Sequence, residues 1–380
     1  MRAGRSVSLF FLRLRGIALK APQRLHEFGQ SLWLDGISRG LLNSGTFKHY
    51  IDQWSVSGLT LNAHMFGDAI KNSSVYDAAI RRKLKEDKMG EDLLYDLMLE
   101  DLCHAADLLR PIHEQSDGVN GWVSLEVSPL LTYDAESTFD AAKDLYARAR
   151  RPNIFIKMPG TNAGLPAVEE AIFAGIPVNV TLLFKHEQFL AAAEAFLRGI
   201  ERRIAEGLGP DVASVATMFV SRWDAAVMDR VPDAPQSKLG VAVARRTYKA
   251  YCELLSSSRW QRTCNAGARP QRLLWAVTKA VVPGTPEDFY IKALAAPLTV
   301  TTMSECTLKA LADGGEIGTV LPADGGDCEA VLARFAEAGI DVDALGAELQ
   351  EQEAASEVTS WIDLMSAVAS KSAALVQVQW

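Results

Sequence analysis

The segment Ile154-Phe155-Ile156-Lys157-Met158-Pro159-Gly160-Thr161 ends a short, continuously apolar run on a lysine and closes it with Pro-Gly. A run of this length and character reads as a strand buried on both faces, the kind found in parallel sheets. Seven more short β-like runs lie at 31–35, 57–62, 121–126, 178–183, 215–220, 272–277 and 298–302, several of them almost continuously apolar. Between them apolar residues recur at helical spacing. Leu93, Leu94, Leu97, Met98 and Leu102 do so in a long insertion between the second and third strands; Phe139, Ala142, Leu145 and Tyr146 follow the third, and Phe189, Ala192, Ala193, Phe196 and Ile200 the fifth. Eight strand–helix units predict an α/β fold, a (β/α)8 TIM barrel with extra N- and C-terminal helices. An open doubly wound sheet is the alternative, and the missing Gly-rich dinucleotide loop after the early strands counts against it.

The chain of 380 residues carries 39 Lys+Arg against 47 Asp+Glu, a formal net charge of -8. That balance argues against broad nucleic-acid binding, which needs excess basic charge. Five scattered cysteines with no CxxC suit a reducing cytosol, and a cytoplasmic location is expected. No apolar run reaches 18 residues, so no membrane span is expected. Arg2, Arg5, Arg13, Arg15, Lys20 and Arg24 precede the first acid, Glu27. This basic, acid-free composition is also that of a transit peptide, but a dispensable, poorly ordered extension over 1–24 is the simpler reading. Residues 25–380 then form one barrel domain, with a helical tail from Glu329 to Leu375 packed on it.

Polar groups stand at the strand ends: Asp35, Asn62, Glu126, Lys157, Asn179 with Thr181, and Thr217 with Arg222. In a barrel the C-terminal strand ends converge on one mouth. Lys157 at the end of an apolar strand faces desolvation, which lowers the pKa of an amine and frees it to attack a carbonyl and form a Schiff base. Taken alone, a strand-end lysine more often snorkels to solvent. Imine chemistry also needs proton carriers, and Asp35 and Glu126 are the carboxylates at hand. Asp35 reads equally as a cap for the helix after Gly36-Ile37-Ser38. Asn62, Asn179, Thr60 and Thr181 supply hydrogen bonds to hydroxyls, or act as caps and turns. None of the six histidines belongs to an HExxH motif, and neither a Walker loop nor GxSxG is present.

These residues sit in segments that resemble a family. His26-Glu27-Phe28-Gly29-Gln30-Ser31-Leu32-Trp33-Leu34-Asp35, Ile156 to Thr161, Asn179-Val180-Thr181-Leu182-Leu183-Phe184 and Phe219-Val220-Ser221-Arg222 look like transaldolase in its longer bacterial form. The likeness runs from about Leu25 to near Leu375. It implies a metal-free, cofactor-free transferase of the pentose phosphate pathway, working through a covalent Schiff base on Lys157. A dihydroxyacetone unit would pass from sedoheptulose 7-phosphate or fructose 6-phosphate to an aldose phosphate. The resemblance makes Asp35 the group that takes and returns the proton of the hydroxyl beside the cleaved bond. It gives Glu126, with Thr181 and a water, the proton transfers of imine formation. Thr60, Asn62, Ser124, Asn179 and Thr217 would hold the three-carbon unit, and Arg222 the phosphate. Glu126 and Phe219 stand where transaldolases carry these residues; related fructose 6-phosphate aldolases tend to have Gln and Tyr, which favours transfer over release. The implied partners are small sugar phosphates, with no nucleic acid and no membrane, and a homodimer is the expected assembly.

The departures cluster. Leu61 and Ala63 flank Asn62 where the family reads Ser and Pro; Ser128 and Leu130 stand in place of Asp and Arg; Lys185-His186 follow strand five in place of a small Ser. At strand seven Val277 replaces a Ser often found on phosphate, with Lys279 as a compensating point charge. The Schiff-base centre is kept while the phosphate end is altered, which points to a changed donor or acceptor. Two other readings stay open: a Schiff-base lyase or cyclising enzyme with an altered substrate, and an inactive sugar-binding or scaffold barrel.

Overall fold

The computed structural model describes residues 19–228, 230, 238–277, 280, 282–314 and 316–377. The parallel strands are β1 (Ser31–Asp35), β2 (Val56–Thr60), β3 (Trp122–Glu126), β4 (Ile154–Pro159), β5 (Val178–Leu183), β6 (Ser214–Phe219), β7 (Arg272–Val277) and β8 (Thr299–Met303). They pair in chain order, and β8 pairs with β1 to close the barrel. The (β/α)8 expectation holds, and each strand lies within two residues of the run that predicted it. Strand β2 stops at Thr60 because Asn62 already caps the next helix, its side-chain Oδ1 accepting from the Met65 backbone N–H at 3.2 Å.

Side chains alternate along a strand, so every second residue points into the barrel. One layer of the interior is Trp33, Trp122, Phe155, Val215, Leu274 and Val300, with Trp122 and Phe155 stacked at 4.1 Å between ring centroids. Two residues further along the same strands come Asp35, Ser124, Lys157, Thr217, Ala276 and Thr302. A plug of large apolar groups thus fills the barrel, and the next layer up is polar. The outward set, including Leu32, Leu34, Leu59, Val123, Leu125, Ile154, Ile156, Val178 and Val180, packs under the surrounding helices.

The insertion between β2 and β3 forms helices Ala63–Asn72, Asp77–Leu84 and Gly90–Gln115. Its buried Asp101 accepts from Arg39 Nε at 2.7 Å and from the Tyr76 hydroxyl at 2.8 Å, tying this layer to the β1 side. The tail forms Cys328–Glu337 and the 36-residue helix Val342–Gln377, about 54 Å at 1.5 Å per residue. The long helix packs against Ala63–Asn72 and crosses the C-terminal ends of the strands, with Gly346 against Trp223 and Leu364 against Gly67. The expected N-terminal extension falls mostly on residues 1–18, outside the described residues. Its boundary moves, because Ala21–Glu27 is a helix with Ala21, Pro22 and Leu25 buried, so the barrel domain starts before residue 25. Burial of an apolar face beats the local basic composition there.

Gly58 lies on β2 where a Cβ would overlap the Trp33 indole. Gly58→Val should therefore lower stability by about 3 kcal/mol or prevent folding, because the apolar plug has no room to give. Thermal unfolding of the two proteins checks this; an unchanged midpoint would show the plug to be loosely packed.

Candidate active site

Strand register sets the site. Glu126 on β3 is the neighbour of Lys157 on β4, which is the neighbour of Asn179 on β5; Asp35 on β1 is the neighbour of Thr60 on β2. Lys157 Nζ donates to Glu126 Oε1 at 3.0 Å. Asp35 accepts from Thr60 Oγ1 at 2.9 Å and from Asn62 Nδ2 at 3.4 Å. Asn179 Nδ2 donates to Ser124 Oγ at 3.0 Å, and Thr217 Oγ1 donates to Asn179 Oδ1 at 2.6 Å. A cavity of about 340 Å³ opens above this network, large enough for a small sugar. Asp35, Thr60, Asn62, Glu126, Lys157, Asn179, Thr217, Phe219 and Arg222 all line it.

Two expected residues sit elsewhere. Ser124 and Thr181 are buried and lie outside the cavity wall; Ser124 holds Asn179 from below, and the Thr181 hydroxyl has no hydrogen-bond partner among the described residues. Lys279 lies outside the described residues. Lys185 is turned away from the mouth, with its Nζ 4.0 Å from Asp343. Asp35 does not cap a helix: Ser38 does, its Oγ accepting from the Leu41 backbone N–H at 3.2 Å. Phe219 stacks on Phe184 at 5.2 Å and presents one edge of the wall.

The expectation of an amine neutralised by burial is overturned. Burial pulls the Lys157 pKa down, but the charges and hydrogen bonds of Glu126 and Glu357 outweigh it, and the net direction is up. The second carboxylate comes from the tail: Glu357 Oε1 accepts from Lys157 Nζ at 3.3 Å. Local sequence reveals the apolar strand and not an acid 200 residues away. Burial pushes the Glu357 carboxyl up to about 8 against the pull of Lys157, with Glu126 and Glu353 adding to the rise. Burial likewise raises Asp35, opposed by Thr60, Lys157 and Asn62.

The helix Val342–Gln377 therefore roofs the site, contributing Glu353, Ser356, Glu357, Ser360 and Trp361 to the cavity wall. Glu353, Glu357 and Trp361 recur every four residues and share one helix face. That spacing was the available signal, but acids at i, i+4 read as a solvated face until the barrel is seen beneath them. Three contacts seat the helix. Gln350 Nε2 donates to the Leu182 carbonyl at 2.7 Å, Trp361 Nε1 to Glu91 at 3.1 Å, and Lys371 Nζ to the Ser73 carbonyl at 3.0 Å. Leu182 has φ 63, a left-handed conformation costly for a branched side chain, where the β5–β6 register shifts. Arg222 is paired with Glu353: its Nε lies 2.9 Å from Glu353 Oε2 and its Nη2 donates to Oε1 at 3.1 Å. Among the described residues no group of three His, Cys, Asp or Glu is placed to hold a metal, and no helix is long and apolar enough to cross a membrane.

Comparison with known proteins agrees with this geometry. A family model described as transaldolase/fructose-6-phosphate aldolase matches residues 32–368. A transaldolase of Thermobifida fusca is 39% identical over 363 residues, covering 93% of this chain and 98% of the relative. One from Parafrankia is 39% identical over 84% of this chain and 89% of its own length, and transaldolase 2 of a Nostoc species is 33% identical over 86% and 90%. A barrel with a lysine between carboxylates at its mouth, matched along nearly its whole length, belongs to the transaldolase/fructose-6-phosphate aldolase family.

Proposed function

We propose that this transaldolase-type transferase moves a dihydroxyacetone unit from a ketose to an aldose through a Schiff base on Lys157, within the pentose phosphate pathway. Sugar phosphates are the substrates of that pathway, and the step is read as cytoplasmic. One observation carries the reading: Lys157 Nζ lies buried at the barrel mouth within hydrogen-bond reach of two carboxylates.

The resting ammonium first gives up a proton, and Glu126 at 3.0 Å is the acceptor. The free Nζ lone pair then attacks the ketose C2 carbonyl and forms a carbinolamine. Glu357 is the other group on Nζ. Burial raises its carboxyl, which suits it to hold the proton that helps the carbinolamine hydroxyl leave as water. Asp35 takes the C4 hydroxyl proton, the C3–C4 bond breaks, and the aldose departs. The bonding pair stays on the three-carbon unit as an enamine. The enamine carbon attacks the acceptor aldehyde, the proton returns from Asp35 to the new hydroxyl, and hydrolysis frees the lysine. Asn62, Asn179 and Thr217 hold the hydroxyls of the three-carbon unit, and no step needs a metal.

Borohydride reduction in the presence of fructose 6-phosphate should fix the sugar to Lys157, detected by intact mass. Lys157→Ala and Lys157→Arg should both lose the adduct and at least about 10⁴-fold in turnover, because a guanidinium stays protonated. Asp35→Asn should keep the adduct and lose about 10²- to 10⁴-fold in C–C cleavage. An adduct on Lys157→Ala would sink the assignment of the nucleophile. Release of free dihydroxyacetone without an acceptor would mark a lyase in place of a transferase.

The raised Glu357 has a consequence for stability with a definite sign. The folded state keeps a proton on Glu357 that the unfolded state loses near pH 4.5. Burial of this group is thus least costly below that pH, and stability is lost as pH rises toward about 8. Glu357→Gln removes the titration, so its gain in melting temperature over the parent should grow from pH 5 to pH 8. A gain independent of pH would show that Glu357 is ionised throughout.

A further inference from the structure

We infer that the end of the barrel opposite the catalytic mouth holds a second ligand site, which takes a small planar carboxylic acid with its carboxylate on Arg272 and its apolar body against the underside of the aromatic plug. The inference goes beyond the transferase reading and does not rest on it.

Strand alternation builds this site as it builds the first one. Two residues after the plug come Asp35 and Lys157. Two residues before it, on the same inward-facing set, come Ser31, Asn120, Ala213, Arg272 and Leu298. These five line a cavity of about 400 Å³, slightly larger than the one at the mouth. Its inner end is the plug itself: Trp33, Trp122, Phe155 and Val215.

The charge in this cavity is unbalanced. Among the described residues that line it there is no carboxylate. Arg272 donates through Nη1 to the Val119 carbonyl at 3.0 Å, and through Nη2 to Ser31 Oγ at 2.7 Å and the Thr299 carbonyl at 2.6 Å. These neutral partners fix the guanidinium without cancelling its charge. Its Nε–H and second Nη1–H have no hydrogen-bond partner among the described residues. Burial pulls the Arg272 pKa down to about 10, opposed only by Tyr251, so the group is a cation at neutral pH. The other guanidinium on the wall, Arg269, is committed to Asp117 and Asp211. A poorly hydrated cation without an acid is costly, and a carboxylate matches the planar fork that relieves it. A phosphate would bring close to two charges into a mostly apolar space.

The remaining walls suit a flat apolar body. Trp122 and Phe155 stack at the inner end, and Trp33 lies 5.9 Å from Phe155 between ring centroids. Val119 and Leu298 stand exposed at the rim. Leu298 is held at φ 60, costly for a branched side chain, with its carbonyl accepting from the Tyr251 hydroxyl at 3.1 Å. Strain of this kind gathers where a ligand is clamped. Gln30 adds a polar point on the wall. Its Nε2 donates to the Leu294 carbonyl at 2.8 Å and to Thr299 Oγ1 at 2.9 Å, while its buried Oε1 has no partner among the described residues. An open acceptor there asks for a donor that these residues do not supply.

The test titrates 4-fluorobenzoate into the full chain, followed by fluorine NMR and calorimetry. Saturable one-to-one binding with a Kd of about 1 mM or below is expected. 4-Fluorobenzamide, the same shape without the charge, should bind at least about tenfold more weakly, and Arg272→Gln should weaken the acid by at least about tenfold. Lys157→Ala should bind the acid as the parent does, which separates this site from the mouth. Val119→Glu changes an exposed rim position and should weaken the acid at least about fivefold through its like charge, so the site is tested even where Arg272→Gln does not fold. No saturation at millimolar acid, equal binding of acid and amide, or unchanged binding in Val119→Glu overturns the inference. So does binding that is lost in Lys157→Ala and kept in Arg272→Gln. Each of these leaves Arg272 as a tie between β7, β1 and β8.

Discussion

The contact between Lys157 and its two carboxylates is the constraint on which the rest of the molecule depends. Three ionisable groups share one small, poorly hydrated space, and they tolerate it only together. Remove either acid and the ammonium loses a partner; remove the ammonium and Glu357 loses the charge that offsets the cost of its burial. The barrel supplies two of the groups from adjacent strands in register, and the long tail helix supplies the third. The helix must sit accurately over the mouth, which accounts for its many polar anchors: Gln350 on the β5 carbonyl, Trp361 on Glu91, Lys371 on the Ser73 carbonyl.

The barrel positions its chemistry by alternation. Trp33, Trp122 and Phe155 fill the interior and exclude water from below, and two residues further on the strands offer Asp35, Ser124 and Lys157. A rigid aromatic floor is what allows hydrogen bonds as short as Thr217 to Asn179 at 2.6 Å to hold their geometry before any sugar arrives. The chain thus separates two tasks along single strands, stability at one end and reactivity at the other.

Much of this was legible in the sequence. All eight strands announced themselves as short β-like runs between helical stretches, several of them almost continuously apolar. The polar residues at the ends of six strands marked the mouth, and Lys157, Asp35, Glu126 and Asn179 were found that way. Glu353 and Glu357 were not. They lie on a helix whose spacing fits a solvated face, and only the tertiary path of the tail brings them over the barrel. The charge of Lys157 was misjudged for the same reason: neighbours in sequence dictate burial, whereas neighbours in space dictate charge. Ser124 and Thr181 were read as ligand contacts because alternation gives direction and not depth. The start of the domain was set too late, since a basic stretch concealed the apolar face of Ala21, Pro22 and Leu25.

The roof helix follows all eight strands in the chain, so a ribosome finishes the whole cylinder before it adds the second acid. During that interval the nascent chain carries Lys157 and Glu126 without Glu357 beside them. The wall over the barrel mouth closes last, once residues 353–361 have emerged.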